Sequence, residues 1–138
     1  MMMDNPGIYS LGDFAITAAG TQVGEWITDL DGMHSALLQL RLAYGSGGTT
    51  IRAYLQTSLD GGTTAVDMAC VLFGTASETA ILNFSALTPK LTQVAPTDGT
   101  LADDTAIDAI IGTMLRLKLV STGVYAGQTL LSARVVTR

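Results

Sequence analysis

The residues able to carry out chemistry are few and scattered. His34 is the only histidine and Cys70 the only cysteine. A hydrolytic triad built on His34 would need a nucleophile presented at a sharp strand-to-helix turn, and no such pattern is present. Gly45–Ser46–Gly47–Gly48 is glycine-rich, but a phosphate loop would add a lysine and a following helix. Asp98, Asp103, Asp104 and Asp108 could offer oxygens to calcium. Their spacing is not that of an EF-hand loop, and a solvated acidic loop with Asp104 capping a helix accounts for them better. Asp29 and Asp31 beside Gly32 suit a turn. One cysteine rules out an internal disulfide and a multi-cysteine metal site. Cys70 lies in the apolar run Met68–Phe73 and reads as a small core residue. The expectation is a chain with no catalytic, cofactor-binding or metal-binding residues.

The informative spacing is structural. Ser58-x-Asp60-x-Gly62-x-Thr64 fits the Asp-box hairpin motif. Asp60 can accept hydrogen bonds from turn amides, Gly61 and Gly62 allow positive φ, and Ser58 and Thr64 can bond across the mouth of the hairpin. The motif normally ends in tryptophan, and Ala65 stands there instead. The motif occurs once, which argues against a propeller carrying one copy per blade.

The elements that position these residues are short strands. Glycine and threonine punctuate runs rich in Val, Ile, Leu and Tyr, as in an antiparallel sandwich or barrel. The runs are 8–17, 22–30, 34–44, 49–58, 64–73, 79–87, 115–120 and 129–138. In 34–44, Leu38, Leu40, Leu42 and Tyr44 share one face and Gln39, Arg41 and Ala43 the other. In 64–73, Val66, Met68 and Cys70 oppose Asp67 and Ala69. Residues 88–105 form a long loop expected across one end of the sandwich, where such loops carry contacts. Ile107, Ile110, Ile111 and Met114 recur at helical spacing, so a short helix near 104–112 is expected. The resulting fold is all-β: a jelly-roll-like antiparallel sandwich of about eight strands, with 1–7 as an arm and 8–138 as one domain.

Composition bounds the partners. Of 138 residues, 48% are hydrophobic and 14% charged. Typical domains carry about 25% charged residues. A neutral surface of this kind is commonly covered, so a homo-oligomer or assembly subunit is expected. Seven basic against twelve acidic residues, a net charge of −5, oppose nonspecific nucleic-acid binding. No window is apolar enough to span a bilayer. Met1–Met2–Met3–Asp4–Asn5–Pro6 carries no basic segment and no long apolar run, so no secretory signal is expected.

Five of the seven basic residues, Arg41, Arg52, Arg116, Lys118 and Arg134, fall mid-strand on the face opposite the apolar set. Most acids fall in turns. A basic sheet face with acidic ends is therefore expected, either solvating an outer face or docking a charged partner. Trp26 with Tyr44, Tyr54 and Tyr125 would suit a sugar-stacking platform; an anchor at a subunit contact is the competing use of Trp26. The candidate partner contacts are thus Trp26, Arg41, Arg52, Arg116, Lys118 and Arg134, with Pro96 and Asp98 from the long loop.

Several segments resemble small virion proteins of tailed bacteriophages. They are Tyr44–Gly45–Ser46–Gly47–Gly48–Thr49–Thr50, the run from Tyr54 through Thr64, Val66–Asp67–Met68–Ala69, and the run from Arg116 through Tyr125. The resemblance implies a non-enzymatic particle component, assembled in the bacterial cytoplasm and resident in the virion. Capsid decoration, binding the major capsid protein from outside, is the first expectation. A head–tail connector or tail-ring subunit and a carbohydrate-binding module on the virion are the alternatives.

Overall fold

The computed structural model describes residues 6–138. Eleven strands follow in chain order: β1 (Gly7–Ala15), β2 (Gly20–Val23), β3 (Ser35–Ala43), β4 (Ser46–Gly47), β5 (Thr50–Ser58), β6 (Val66–Phe73), β7 (Glu78–Ser85), β8 (Thr105–Ala106), β9 (Met114–Thr122), β10 (Tyr125–Ala126) and β11 (Leu130–Thr137). The count exceeds the expected eight because β4, β8 and β10 are two-residue strands that periodicity cannot resolve. The longer strands match the runs read from the sequence, except that the second stops at Val23 and then meets β9 through the Gly24 N–H bond to Leu117 O (2.8 Å) and the Ile27–Leu115 bridge.

One large sheet runs β1-β11-β3-β7 and the other β2-β9-β5-β6-β8, β10 pairs with β4 in a third sheet of two strands, and every pairing is antiparallel. Without the two-residue strands, this is the interleaved order of a jelly roll. Alternation places Leu38, Leu40, Leu42, Leu131, Ala133 and Val135 from the first sheet against Ile51, Ala53, Leu55, Leu115, Leu117 and Leu119 from the second, all buried in one core. Each large aliphatic side chain there contributes about 1.5–3 kcal/mol of burial.

No helix forms over 104–112. The helical spacing of Ile107, Ile110 and Ile111 serves another purpose: the chain runs irregularly along the sandwich, and Ile110 and Ile111 pack against the core. Asp104 (φ 52) and Ala109 (φ 76) lie in the left-handed region, where single residues but not right-handed helices occur. Thr105 and Ala106 pair with β6 instead, and Ile107 N–H donates to Met68 O at 2.7 Å. Of the expected N-terminal arm, residues 1–5 lie outside the described residues, and Gly7 already opens β1.

The reading of β6 also needs correction. Leu55 pairs with Ala69 but Gln56 pairs with Asp67, so Met68 is an extra residue, a β-bulge. The bulge puts Asp67 and Cys70 on the same side. Both face outward, whereas Ala69, Val71 and Phe73 face the core.

Candidate functional site

The hairpin between β5 and β6 is built as its spacing predicts. Ser58 Oγ accepts from Gly62 N–H at 2.9 Å and bonds Asp60 Oδ1 at 2.9 Å. Asp60 Oδ1 accepts from Thr64 N–H at 2.7 Å. Gly61 (φ 73) and Gly62 (φ 94) take the left-handed backbone that closes the turn. The tryptophan missing at Ala65 has a counterpart from elsewhere in the chain. A Cβ added to Gly62 would lie 3.3 Å from Trp26 Nε1, so the indole packs on the turn glycine. Arg116 stacks over the same ring, with Cζ 4.3 Å from its centroid.

From that turn a polar network spreads over the outer face of β5, β6 and β9. Arg116 Nε donates to Gln56 Oε1 at 2.8 Å. Gln56 Nε2 donates to Asp67 Oδ1 at 2.8 Å and Asp98 Oδ1 at 2.7 Å. Gln56 is completely buried and Asp67 is 1% exposed. The Asp67 carboxylate also accepts from Thr97 Oγ1 (2.8 Å) and from the amides of Gly99 (2.8 Å), Thr100 (3.1 Å) and Leu101 (3.2 Å). Successive amides converging on one carboxylate form an anion nest. The nest holds the 97–104 segment flat on the sheet, not across the end of the sandwich as expected from its length.

The segment's other carboxylates are committed in the same way. Asp98 pairs with Lys118 Nζ (3.0 Å), Asp103 with Arg52 Nε (2.7 Å), and Asp104 accepts from Leu72 N–H (3.0 Å). Asp108 accepts from Ser85 N–H (2.6 Å). No group of three or more potential metal-ligating side chains occurs among the described residues. Beneath this cover lie Tyr54 and Cys70, both buried. Burial pushes the Tyr54 hydroxyl up to about 12 and the Cys70 thiol up to about 11, so both stay protonated at neutral pH.

The basic residues therefore do not form one stripe. Arg52, Arg116 and Lys118 lie beneath or beside the acidic segment on one outer face. Arg41 and Arg134 lie on the other, where Arg134 pairs with Asp13 at 3.1 Å and Arg41 is exposed. Pro96 is exposed at the edge of the covering segment. The four aromatic rings do not make one open platform: Tyr54 and Tyr125 are buried, Tyr44 meets Tyr125 edge-on at 6.1 Å, and Trp26 is half-buried beneath Arg116.

No described residue gives the outer face of β1, β11, β3 and β7 such a cover. Ile8 (74% exposed), Ile81 (61%) and Leu37 (39%) stand there in the open, beside Val136, Gln39 and Arg134. Neither these residues nor Asp67 stand out in the sequence as candidate contacts. The available signal was the pairing of alternate positions across strands: the register places Ile8 beside Val136, Val136 beside Leu37, and Gln39 beside Ile81.

The ion pairs make a definite acid response. Arg134 holds Asp13 below the usual carboxylate range, Gln56 and Lys118 do so for Asp98, and Arg52 for Asp103; Thr64 amide and hydroxyl do so for Asp60. A carboxylate with a lowered folded pKa adds stability that is fully present above its unfolded value, 3.8, and is lost as pH falls through the folded value. The melting temperature should be flat above about pH 5 and fall progressively below about pH 4. A melting temperature unchanged down to about pH 2.5 would contradict the pairings.

Fold and surfaces together define a jelly-roll-type sandwich with one outer sheet clad by its own loop and the other left bare. No family model, no curated protein and no solved structure matches the chain.

Proposed function

We propose that this protein is a non-enzymatic structural subunit of a tailed-phage virion, a capsid decoration protein that binds the outside of the shell and stabilises it. The observation that carries this reading is the asymmetry of the two outer sheet faces. One is sealed by residues 97–104 and their ion pairs, and the other presents Ile8, Leu37 and Ile81 to solvent. An apolar patch flanked by Arg41, Arg134 and Gln39 suits a broad, largely neutral protein surface better than a small ligand. The phage-like segments occupy the β4–β5 region, the Asp-box hairpin and β9, which build the sealed side and leave the bare face free for the major capsid protein. Many copies on one shell would add modest contacts into firm attachment.

Co-sedimentation with purified shells lacking this chain tests the reading. Saturable, stoichiometric binding with a raised shell melting temperature is the expected result. Leu37→Asp, on an exposed position, should weaken it by about tenfold or more, since burying an unpaired charge is costly. Absence of binding to shells would overturn the assignment, as would a closed ring of the free protein in native mass measurement, which belongs to a connector or tail subunit.

A further inference from the structure

The two large sheets have four edge strands, and three are defended against further pairing. β1 carries a bulge between Ser10 and Gly12, β2 is four residues long, and β8 is two. Bulges and short strands are the usual defences of a sheet edge. β7 has neither. It pairs with β3 over eight residues without a register shift, contains no proline and no lysine, and its one charge is Glu78 at the first position.

The direction of its free groups follows from the hydrogen bonds at its end. Ala86 N–H turns toward β3 and donates to His34 O at 2.6 Å, whereas Ser85 N–H turns away and donates to Asp108 Oδ1 at 2.6 Å. Backbone groups alternate along an antiparallel strand. The N–H and C=O groups of Thr79, Ile81 and Asn83 therefore point to the open edge, where no described strand lies. Asp108 closes this stretch at Ser85, so the free stretch is centred on Ile81.

From this geometry we infer that β7 is a self-association edge, taking β7 of a second copy of this chain in an antiparallel, two-fold symmetric pairing about Ile81. In that register Thr79 faces Asn83 of the second copy, Ile81 faces Ile81, and about six backbone hydrogen bonds form. The register is self-complementary: Glu78 falls opposite Phe84, so no like charges meet. The two-fold axis stands normal to the sheet. It sets both bare faces on one side and joins the two Leu37–Ile81 patches into one surface. The pairing gives the expected homo-oligomer a definite contact and does not depend on what that surface binds.

Sedimentation velocity of the isolated protein over rising concentration is the test. The expected result is a reversible shift from the 14.3 kDa monomer to twice that mass. Ile81→Lys would set two ammonium groups against each other on an exposed face, and should raise the dissociation constant by about tenfold or more. Ile81→Pro deletes the edge-facing amide without touching the β3 ladder, and should act likewise. Amide exchange at Thr79, Ile81 and Asn83 should slow with concentration in the wild type and not in Ile81→Lys. A monomer persisting to about 1 mM, or a dimer that Ile81→Lys leaves unaltered, would overturn the inference. Shells are absent from the measurement, so this result and the shell-binding result stand or fall separately.

Discussion

Replacing Asp67 with alanine should lower the unfolding free energy by about 3–5 kcal/mol, because several buried donors lose the one carboxylate that they share. The carboxylate is the common acceptor for Gln56, Thr97 and the amides of Gly99, Thr100 and Leu101. Without it, three backbone amides lose their partner at once and Gln56 keeps only Asp98 of its two acceptors, at about 1–3 kcal/mol for each donor left dry. The sum exceeds the expected loss because the segment has an alternative: residues 97–104 can lift off and hydrate. The variant should therefore show two effects together, a lower denaturation midpoint and faster amide exchange at 99–101.

Cys70 supplies a third readout. Its thiol is buried on the outward side of β6, 3.9 Å from Asp103 Oδ1 and beneath the same segment. In the wild type, burial and a pKa pushed up to about 11 make it slow toward thiol reagents. In Asp67→Ala it should react rapidly under native conditions. Asp67→Asn should fall between the two, since its carbonyl oxygen can still accept but its NH2 group meets the converging amides. Unaltered thiol reactivity with a stability loss under about 1 kcal/mol would show that the nest does not hold the segment down.

Much of this fold was legible because period-two alternation is a strong signal when one face is buried. Leu38, Leu40 and Leu42 in β3 show it without interruption, and the core contains all three. Asp-box chemistry was legible because its partners lie within a few residues of one another: Ser58, Asp60, Gly62 and Thr64 bond locally. What could not be read depends on distant pairing. The bulge at Met68 leaves no local mark, yet it turns Cys70 outward beside Asp67 and Ala69 inward, where unbroken alternation has the opposite. The acidic segment looked free because its cations, Arg52 and Lys118, are far away in sequence. The bare face was hidden for the opposite reason: Ile8, Leu37 and Ile81 come from three strands and become one patch only when the sheet order is known.

The helix expected near 104–112 failed through a related ambiguity. A strap lying along a sandwich edge can bury isoleucines at helical spacing without being helical, and Gly112 is the position that decides how closely it lies. Gly112 N–H donates to Thr57 Oγ1 at 2.9 Å, and Thr113 N–H donates to Ser58 O at 3.0 Å. A Cβ on Gly112 would collide with the Ser58 carbonyl oxygen and sit 3.0 Å from Thr57 Oγ1. Ser58 cannot retreat, because it is the last β5 residue and the first residue of the hairpin motif. Gly112→Ala should therefore cost about 3 kcal/mol, in the upper range for overpacking against fixed backbone. Gly61→Ala is the matched control: its φ of 73 is strained for alanine, but nothing lies within 4 Å of the new methyl, so about 1–2 kcal/mol is expected. Chemical denaturation of the two variants separates collision from backbone strain. The Trp26 near-ultraviolet signal should alter in Gly112→Ala as the displaced strap drags on Ser58 and the turn beneath the indole. Equal losses in the two variants would mean that the strap does not press on the hairpin.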